Sequence, residues 1–370
     1  MTEQQEENPC FLTDQLITYL GNKRNLLPFI GEAVGRIRKR TGQSRHSFFD
    51  VFSGSGVVSR YFKKYASLLA VNDLEPYAAV INRCYLANST VLDEAALREL
   101  YSEISGRLDT EPLVPGIISG LYAPQDDTNI RKDERVFYTS RNARYLDTAR
   151  SYISSLPEQF QDFFLAPLLS EASIHANTAG VFKGFYKNRE TGVGQFGGKN
   201  RDALSRICGD IRLQYPVFSN FECETHIFSG DANEVCAAVP EVDIAYIDPP
   251  YNQHPYGSNY FMLNLLTDYR VPEKISPVSG IPENWKRSRF NRRQAAVSAF
   301  TDLVEHIRAK YLVVSFNSEG FISLGEMQNI LTGFGALEIL EIPYTAFRGS
   351  RNLNGRNIHV TEYLYILEKK

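Results

Sequence analysis

Seven short apolar runs, separated by helical patterns everywhere except across one long interruption, restrict this chain more than any other feature. They are Ser47 to Phe52, Ser67 to Asn72, Thr225 to Phe228, Val242 to Ile247, Tyr311 to Phe316, Leu337 to Ile342 and Thr361 to Glu368. Runs of this length bounded by turn residues read as strands. Strands that alternate with helices call for a doubly wound α/β sheet, and the closeness of the last two runs predicts a hairpin. The rhythm breaks between Val91 and Tyr215, where helical patterns at Leu92 to Leu108, Glu134 to Ser155 and Gln159 to Ala176 accompany a glycine-rich basic stretch. A chain of 370 residues is long for one compact core. The predicted organisation is a sheet domain built from 11–90 and 216–370, with 91–215 as a mainly helical inserted subdomain.

The fourth run leads directly into Asp248-Pro249-Pro250-Tyr251, which puts the tetrapeptide at the carboxyl end of a buried strand, where open α/β sheets bind ligands. Asp248 offers an acceptor, Pro249 a carbonyl with no competing N–H, Pro250 a stiff turn and Tyr251 a flat face. Together they suit a planar amino group; a proline-bounded turn is the plainer alternative. After the first run comes Asp50-Val-Phe-Ser-Gly-Ser-Gly56. Its glycines allow close backbone approach, and a helix starting at Val57 would aim N–H groups at a carboxylate. Neither Gly-x-Gly-x-x-Gly nor Gly-x-x-x-x-Gly-Lys is present, which argues against a dinucleotide or phosphate loop. The second run ends in Val71-Asn-Asp-Leu-Glu75, where an acid can accept both hydroxyls of a ribose. Asp73 is preferred over Glu75 because it lies nearer the strand end; helix capping is its alternative role.

Net charge is −3, so a nucleic-acid partner must be sought in the distribution of charge. Lys286, Arg287, Arg289, Arg292 and Arg293 fall within eight residues that contain no acid. Lys183, Lys187, Arg189, Lys199, Arg201 and Arg206 are interleaved with Phe182, Phe185, Tyr186 and Phe196, among six glycines from Gly180 to Gly198. A third group holds Arg348, Arg351 and Arg356. The five cysteines show no close pair and the six histidines are scattered, so neither a disulfide framework nor a metal site is expected. No stretch approaches a membrane span, and the polar start of the chain lacks the apolar core of a secretory signal, which predicts a cytoplasmic protein.

Two more segments complete a set: Tyr19-Leu-Gly-Asn-Lys23 ahead of a helical pattern (Asn25 to Ile37), and Ser229-Gly-Asp-Ala232 after the third strand. The order Leu-Gly-Asn-Lys, Phe-Ser-Gly-Ser-Gly, Asn-Asp, insertion, Gly-Asp-Ala, Asp-Pro-Pro-Tyr resembles the Dam-like (D12, alpha-type) class of DNA adenine-N6 methyltransferases, over nearly the whole chain outside the insertion. Asn252 to Tyr260, Ser288 to Asn291, Ser315 to Gly320 and Glu362 to Lys369 resemble a branch of that class, with Phe316 where tyrosine is usual. The resemblance implies the seven-stranded Rossmann-like sheet of S-adenosylmethionine-dependent methyltransferases and S-adenosyl-L-methionine as cofactor. It also implies that Tyr19 and Lys23 line the cofactor end of the cleft, that Phe52 and Gly54 pass beside the methionine part with Gly56, and that Asp231 contacts the cofactor adenine. Asp248, shared between cofactor and target, would act with Pro249, Pro250 and Tyr251 on an adenine flipped out of double-stranded DNA. Lys286 to Arg293 would hold the DNA backbone, and Lys199 and Arg201 would read sequence. A restriction endonuclease acting separately is the implied partner. An RNA adenine or cytosine-N4 target, or a catalytically silent DNA-binding module, are the alternatives; protein-glutamine methyltransferases carry Asn-Pro-Pro-Tyr, so Asp248 argues against them.

Overall fold

A computed structural model describes residues 6–198, 203–345 and 359–370. The seven strands are β1 (His46–Asp50), β2 (Ala66–Asp73), β3 (Glu224–Ser229), β4 (Val242–Ile247), β5 (Ala309–Asn317), β6 (Gly335–Thr345) and β7 (His359–Lys369), each on its predicted run. They form one sheet in the order β3-β2-β1-β4-β5-β7-β6. β1 to β5 pair in parallel, and β7 is antiparallel to both β5 and β6. Burial on both faces explains why β4 and β5 read as nearly unbroken apolar runs.

Strand alternation sorts the core into two faces. Phe48, Ile244, Val313 and Ile366 pack under the helix Leu27–Thr41, while Phe49, Ala245, Val314 and Leu367 pack under the helices Arg293–His306 and Leu324–Phe334. A third apolar cluster joins the helices Glu94–Thr110, Ser140–Ser154 and Glu158–Ile174 to Pro76–Tyr85 and Phe261–Asp268. Residues 91–215 thus add no strand to the sheet among the described residues, yet share a continuous core with two of its flanking helices. One helix starts later than its pattern suggested. It begins at Ser140 because the Thr139 hydroxyl accepts from the Asn142 N–H at 3.1 Å, an N-cap, while Phe137 N–H is committed to the Tyr122 carbonyl at 2.9 Å. No helix among the described residues is long and apolar enough to cross a membrane.

Candidate active site

The chain order across the sheet reverses at β1, which lies between β2 and β4. The register Asp50↔Val71 and Asp50↔Tyr246 brings the turns after all three strands to one edge. Ser53 N–H donates to the Asn72 carbonyl at 2.9 Å and Val51 N–H to the Tyr246 carbonyl at 3.0 Å, which fixes the glycine turn between its neighbours. A pocket opens there, lined by Tyr19, Phe52, Asp73, Asp231, Asp248 and Tyr256 among others. Its place at a topological switch point suits a cofactor.

Gly54 and Gly56 have left-handed backbones, with φ of +52° and +72°. A Cβ on Gly54 would stand 2.7 Å from the Tyr19 ring, and one on Gly56 would strike the Asn82 side chain. The space these glycines leave is therefore taken first by protein side chains. Tyr19 is itself gripped from the far side: its ring stacks on Tyr256 and Tyr260 with centroids 4.9 and 5.1 Å away. Leu20 N–H donates to the Tyr260 hydroxyl at 2.7 Å, and the Tyr256 hydroxyl donates to the Leu20 carbonyl at 2.9 Å. These bonds tie the amino-terminal segment to the helices that follow the Asp248–Tyr251 tetrapeptide.

Asp73 accepts from Gly54 N–H at 2.8 Å through one oxygen and from Glu75 N–H at 2.9 Å through the other. Each oxygen keeps a second lone pair. Burial raises its pKa, and the amide bonds oppose that rise. Asp73 is not the cap of the next helix; Glu75 occupies that position, without a side-chain cap bond. Glu75 also lines the pocket, accepts from Asn264 at 2.6 Å, and is pushed up to about 7 by burial. Asp231 caps the short helix Ala232–Val235 by accepting from Asn233 N–H at 3.0 Å, and pairs with Arg289 at 3.2 Å.

At the end of β4 the Asp248 side chain is 17% exposed. Lys23 Nζ lies 3.1 Å from Asp248 Oδ1 and 2.8 Å from Glu362 Oε1, and that same Glu362 oxygen accepts from the Ser315 hydroxyl at 2.9 Å. Lys23, expected at the cofactor end of the cleft, has its ammonium between two carboxylates, one of which, Asp248, lines the pocket. Burial opposes its charge, but Asp248 and Glu362 more than offset this and hold it protonated well above the ordinary lysine range. Burial pushes Asp248 up to about 6, against the pull of Lys23 and with the help of Glu362. The Tyr251 ring lies beneath Lys23, 5.9 Å from Nζ, and meets Phe316 edge-on at 6.2 Å. Sequence reasoning missed the roles of Glu362 and Ser315; the signal was an acid inside an apolar strand, opposite a serine inside another.

Residues 19–330 match the family described as D12 class N6 adenine-specific DNA methyltransferase. The chain belongs to this family. Relatives include the type II methyltransferase M.CviAII of Paramecium bursaria Chlorella virus 1, 30% identical over 95% of this chain and 98% of its own length. The type II methyltransferase M.NlaIII of Neisseria lactamica is 28% identical over 95% of this chain and 99% of its own length. The modification methylase StsI of Streptococcus sanguinis is 28% identical over 95% of this chain but 52% of its own length, so here one chain corresponds to about half of the relative. The family description answers the alternatives of an RNA or cytosine target.

The methyltransferase carries its basic residues around this pocket unevenly. Lys286, Arg287, Arg289, Arg292 and Arg293 are all exposed, and Ser288 and Asn291 between them line the pocket. Asn291 donates to the Asn252 carbonyl at 2.8 Å, which holds the segment against the turn after Tyr251. Arg289 differs from its neighbours in being paired with Asp231. In the insertion, Lys187 and Gly194 form an antiparallel bridge, Phe182 N–H donates to the Asn259 carbonyl at 2.7 Å, and Lys183 Nζ lies 3.4 Å from His254 Nδ1. Arg206 donates to the carbonyls of Ile174 and Ala176, finishing a helix, so its charge is not held free for a ligand. Lys199 and Arg201 lie outside the described residues, as do Arg348, Arg351 and Arg356.

Proposed function

We propose that the pocket binds S-adenosylmethionine and that Asp248, Pro249, Pro250 and Tyr251 receive an adenine rotated out of duplex DNA, whose N6 takes the methyl group. The supporting observation is a half-buried carboxylate at the end of β4 that both lines the pocket and is positioned by a lysine. S-adenosylmethionine, when bound, supplies an electrophilic methyl group on a sulfonium. The residues fit such a cation and its ribose: Asp73, Asp231 and Asp248 line one pocket, and both Asp73 oxygens retain acceptor capacity.

Adenine N6 is a weak nucleophile because its lone pair is shared with the ring. Acceptance of its two hydrogens by the Asp248 carboxylate and the Pro249 carbonyl favours a pyramidal nitrogen with the lone pair pointing away from both. Tyr251 stacks on the extruded base, and the surrounding aromatic residues exclude water, so positioning supplies much of the acceleration. The methylated amine is acidic enough to release its proton to Asp248 or to water.

Ionised Asp248 is the stronger acceptor, and only that form can take the proton released by the methylated amine. With its pKa pushed up to about 6 by burial, the ionised fraction falls as pH drops through that value. The single-turnover rate is therefore expected to lose tenfold for each unit below about pH 6 and to be flat above it. A rate unchanged down to pH 5, measured with enzyme saturated in cofactor, would count against Asp248 as acceptor. The effect on the fold runs in the opposite sense. A carboxyl raised in the folded state favours folding below its unfolded pKa and loses that contribution as pH rises through about 6.

Phosphate contacts set affinity and salt dependence, whereas base contacts set sequence choice. Arg287, Arg292 and Arg293 are exposed beside the pocket rim, so we place the DNA backbone there and assign sequence reading to the insertion, including Lys199 and Arg201. Because Arg289 is engaged by Asp231, its replacement would disturb the cofactor pocket as well. The triple substitution Arg287, Arg292 and Arg293→Ala should weaken binding to all DNA alike and lower the slope of log affinity against log salt by up to about three. Cofactor affinity should stay unchanged; a wild-type salt slope would show these charges to be solvated only. We place the enzyme in the cytoplasm, where it would protect sites from a separate cognate endonuclease. Resistance of host DNA to that nuclease only when the methyltransferase is expressed tests this role.

A further inference from the structure

Lys23 is shared between two carboxylates, the half-buried Asp248 at the end of β4 and the buried Glu362. Glu362 sits in β7 directly opposite Asn317 of β5, two residues beyond Ser315. It is 3% exposed, and Lys23 is 5% exposed. With Lys23 protonated and both acids ionised, the cluster carries one net negative charge. A cluster of that kind is costly to bury: pairing Lys23 with Asp248 alone would leave it neutral. An ion pair that served the fold only would not need the second acid.

We propose that Glu362 is a positioning residue for methyl transfer: by taking part of the Lys23 ammonium, with Ser315 holding its carboxylate in place, it keeps Asp248 from being neutralised and leaves that carboxylate free to accept the target amine. This rests on Asp248 acting as the acceptor for N6. The charged and titratable groups that face Asp248 are Lys23, Glu362, Asp50, Tyr246, Tyr251 and Tyr256. Lys23 is the cation in this set. Glu362 reaches it from β7 at 2.8 Å and competes with Asp248 at 3.1 Å for the same Nζ. Removing the charge of Glu362 lets Lys23 compensate Asp248 alone, which weakens Asp248 as an acceptor and makes it easier to ionise.

Glu362→Gln keeps the shape and can still accept from Lys23 and Ser315 while losing the charge. It should remain folded, because the remaining Lys23–Asp248 pair is neutral. The expected result is a plateau single-turnover rate about threefold to tenfold lower, an acid limb moved to lower pH, and S-adenosylmethionine affinity unchanged by calorimetry. Glu362→Asp, which restores the charge, should return the acid limb toward the wild-type position. An acid limb and plateau identical to wild type in Glu362→Gln would overturn the proposal, as would loss of cofactor affinity, since Glu362 would then be serving the pocket. Asp248→Ala, which removes the acceptor altogether, is measured alongside and separates this from the reading on which it rests. If that variant kept wild-type activity, Asp248 would not be the acceptor; if it is inactive while Glu362→Gln behaves as wild type, the failure belongs to Glu362 alone.

Discussion

Replacement of Asp248 by alanine is expected to lower methyl transfer at least about a thousandfold, since it removes an acceptor and positioning group that acts on the reacting nitrogen itself. Cofactor affinity should stay within a few-fold of wild type. The fold should survive because the substitution leaves Lys23 facing Glu362 at 2.8 Å as a neutral pair, with Ser315 still bonded to Glu362. Transfer of labelled methyl groups to unmethylated genomic DNA, paired with calorimetry of the same preparation, checks both halves. Activity within a few-fold of wild type would remove Asp248 from the chemistry.

Asp73→Ala should weaken S-adenosylmethionine binding by about a hundredfold, without DNA being present. Two bonds from ribose hydroxyls to a charged acceptor are together worth about 3 kcal/mol. The structure adds a second reason: the same carboxylate anchors Gly54 N–H at 2.8 Å and Glu75 N–H at 2.9 Å, so its loss also loosens the turns on both sides of the pocket. Asp73→Asn separates the two contributions, because its amide oxygen can still accept one of the backbone bonds. Calorimetry on wild type should give one site per chain. Equal affinity in wild type and Asp73→Ala would take the ribose contact away from this residue.

Local pattern was enough for the sheet. Each of the seven apolar runs became a strand, and the turn residues after β1, β2 and β4 mark the pocket edge because strand ends and glycine turns are short-range features. The missed parts are long-range or concern how a charge is used. Lys23 and Glu362 are 339 residues apart, and they meet only because β7 inserts between β5 and β6. A lysine in a loop gives no hint of such a partner, whereas Glu362 among Val360, Leu364 and Ile366 did mark a buried acid in need of one. Arg206 shows the converse: it counted as positive charge in the sequence, but its guanidinium serves two backbone carbonyls. The glycines of the first motif were legible as a sharp turn. That Tyr19 would pack over Gly54 was not, since it depends on a segment that precedes the sheet.

Asp248 and the pocket beside it are proposed to methylate N6 of adenine in DNA. The most direct measurement is mass spectrometry of nucleosides from unmethylated double-stranded genomic DNA, incubated with the purified protein and S-adenosylmethionine carrying an isotopically labelled methyl group. Wild type should give labelled N6-methyladenine and Asp248→Ala none. Label in N4-methylcytosine, or equal label in N6-methyladenine from both proteins, would contradict this assignment.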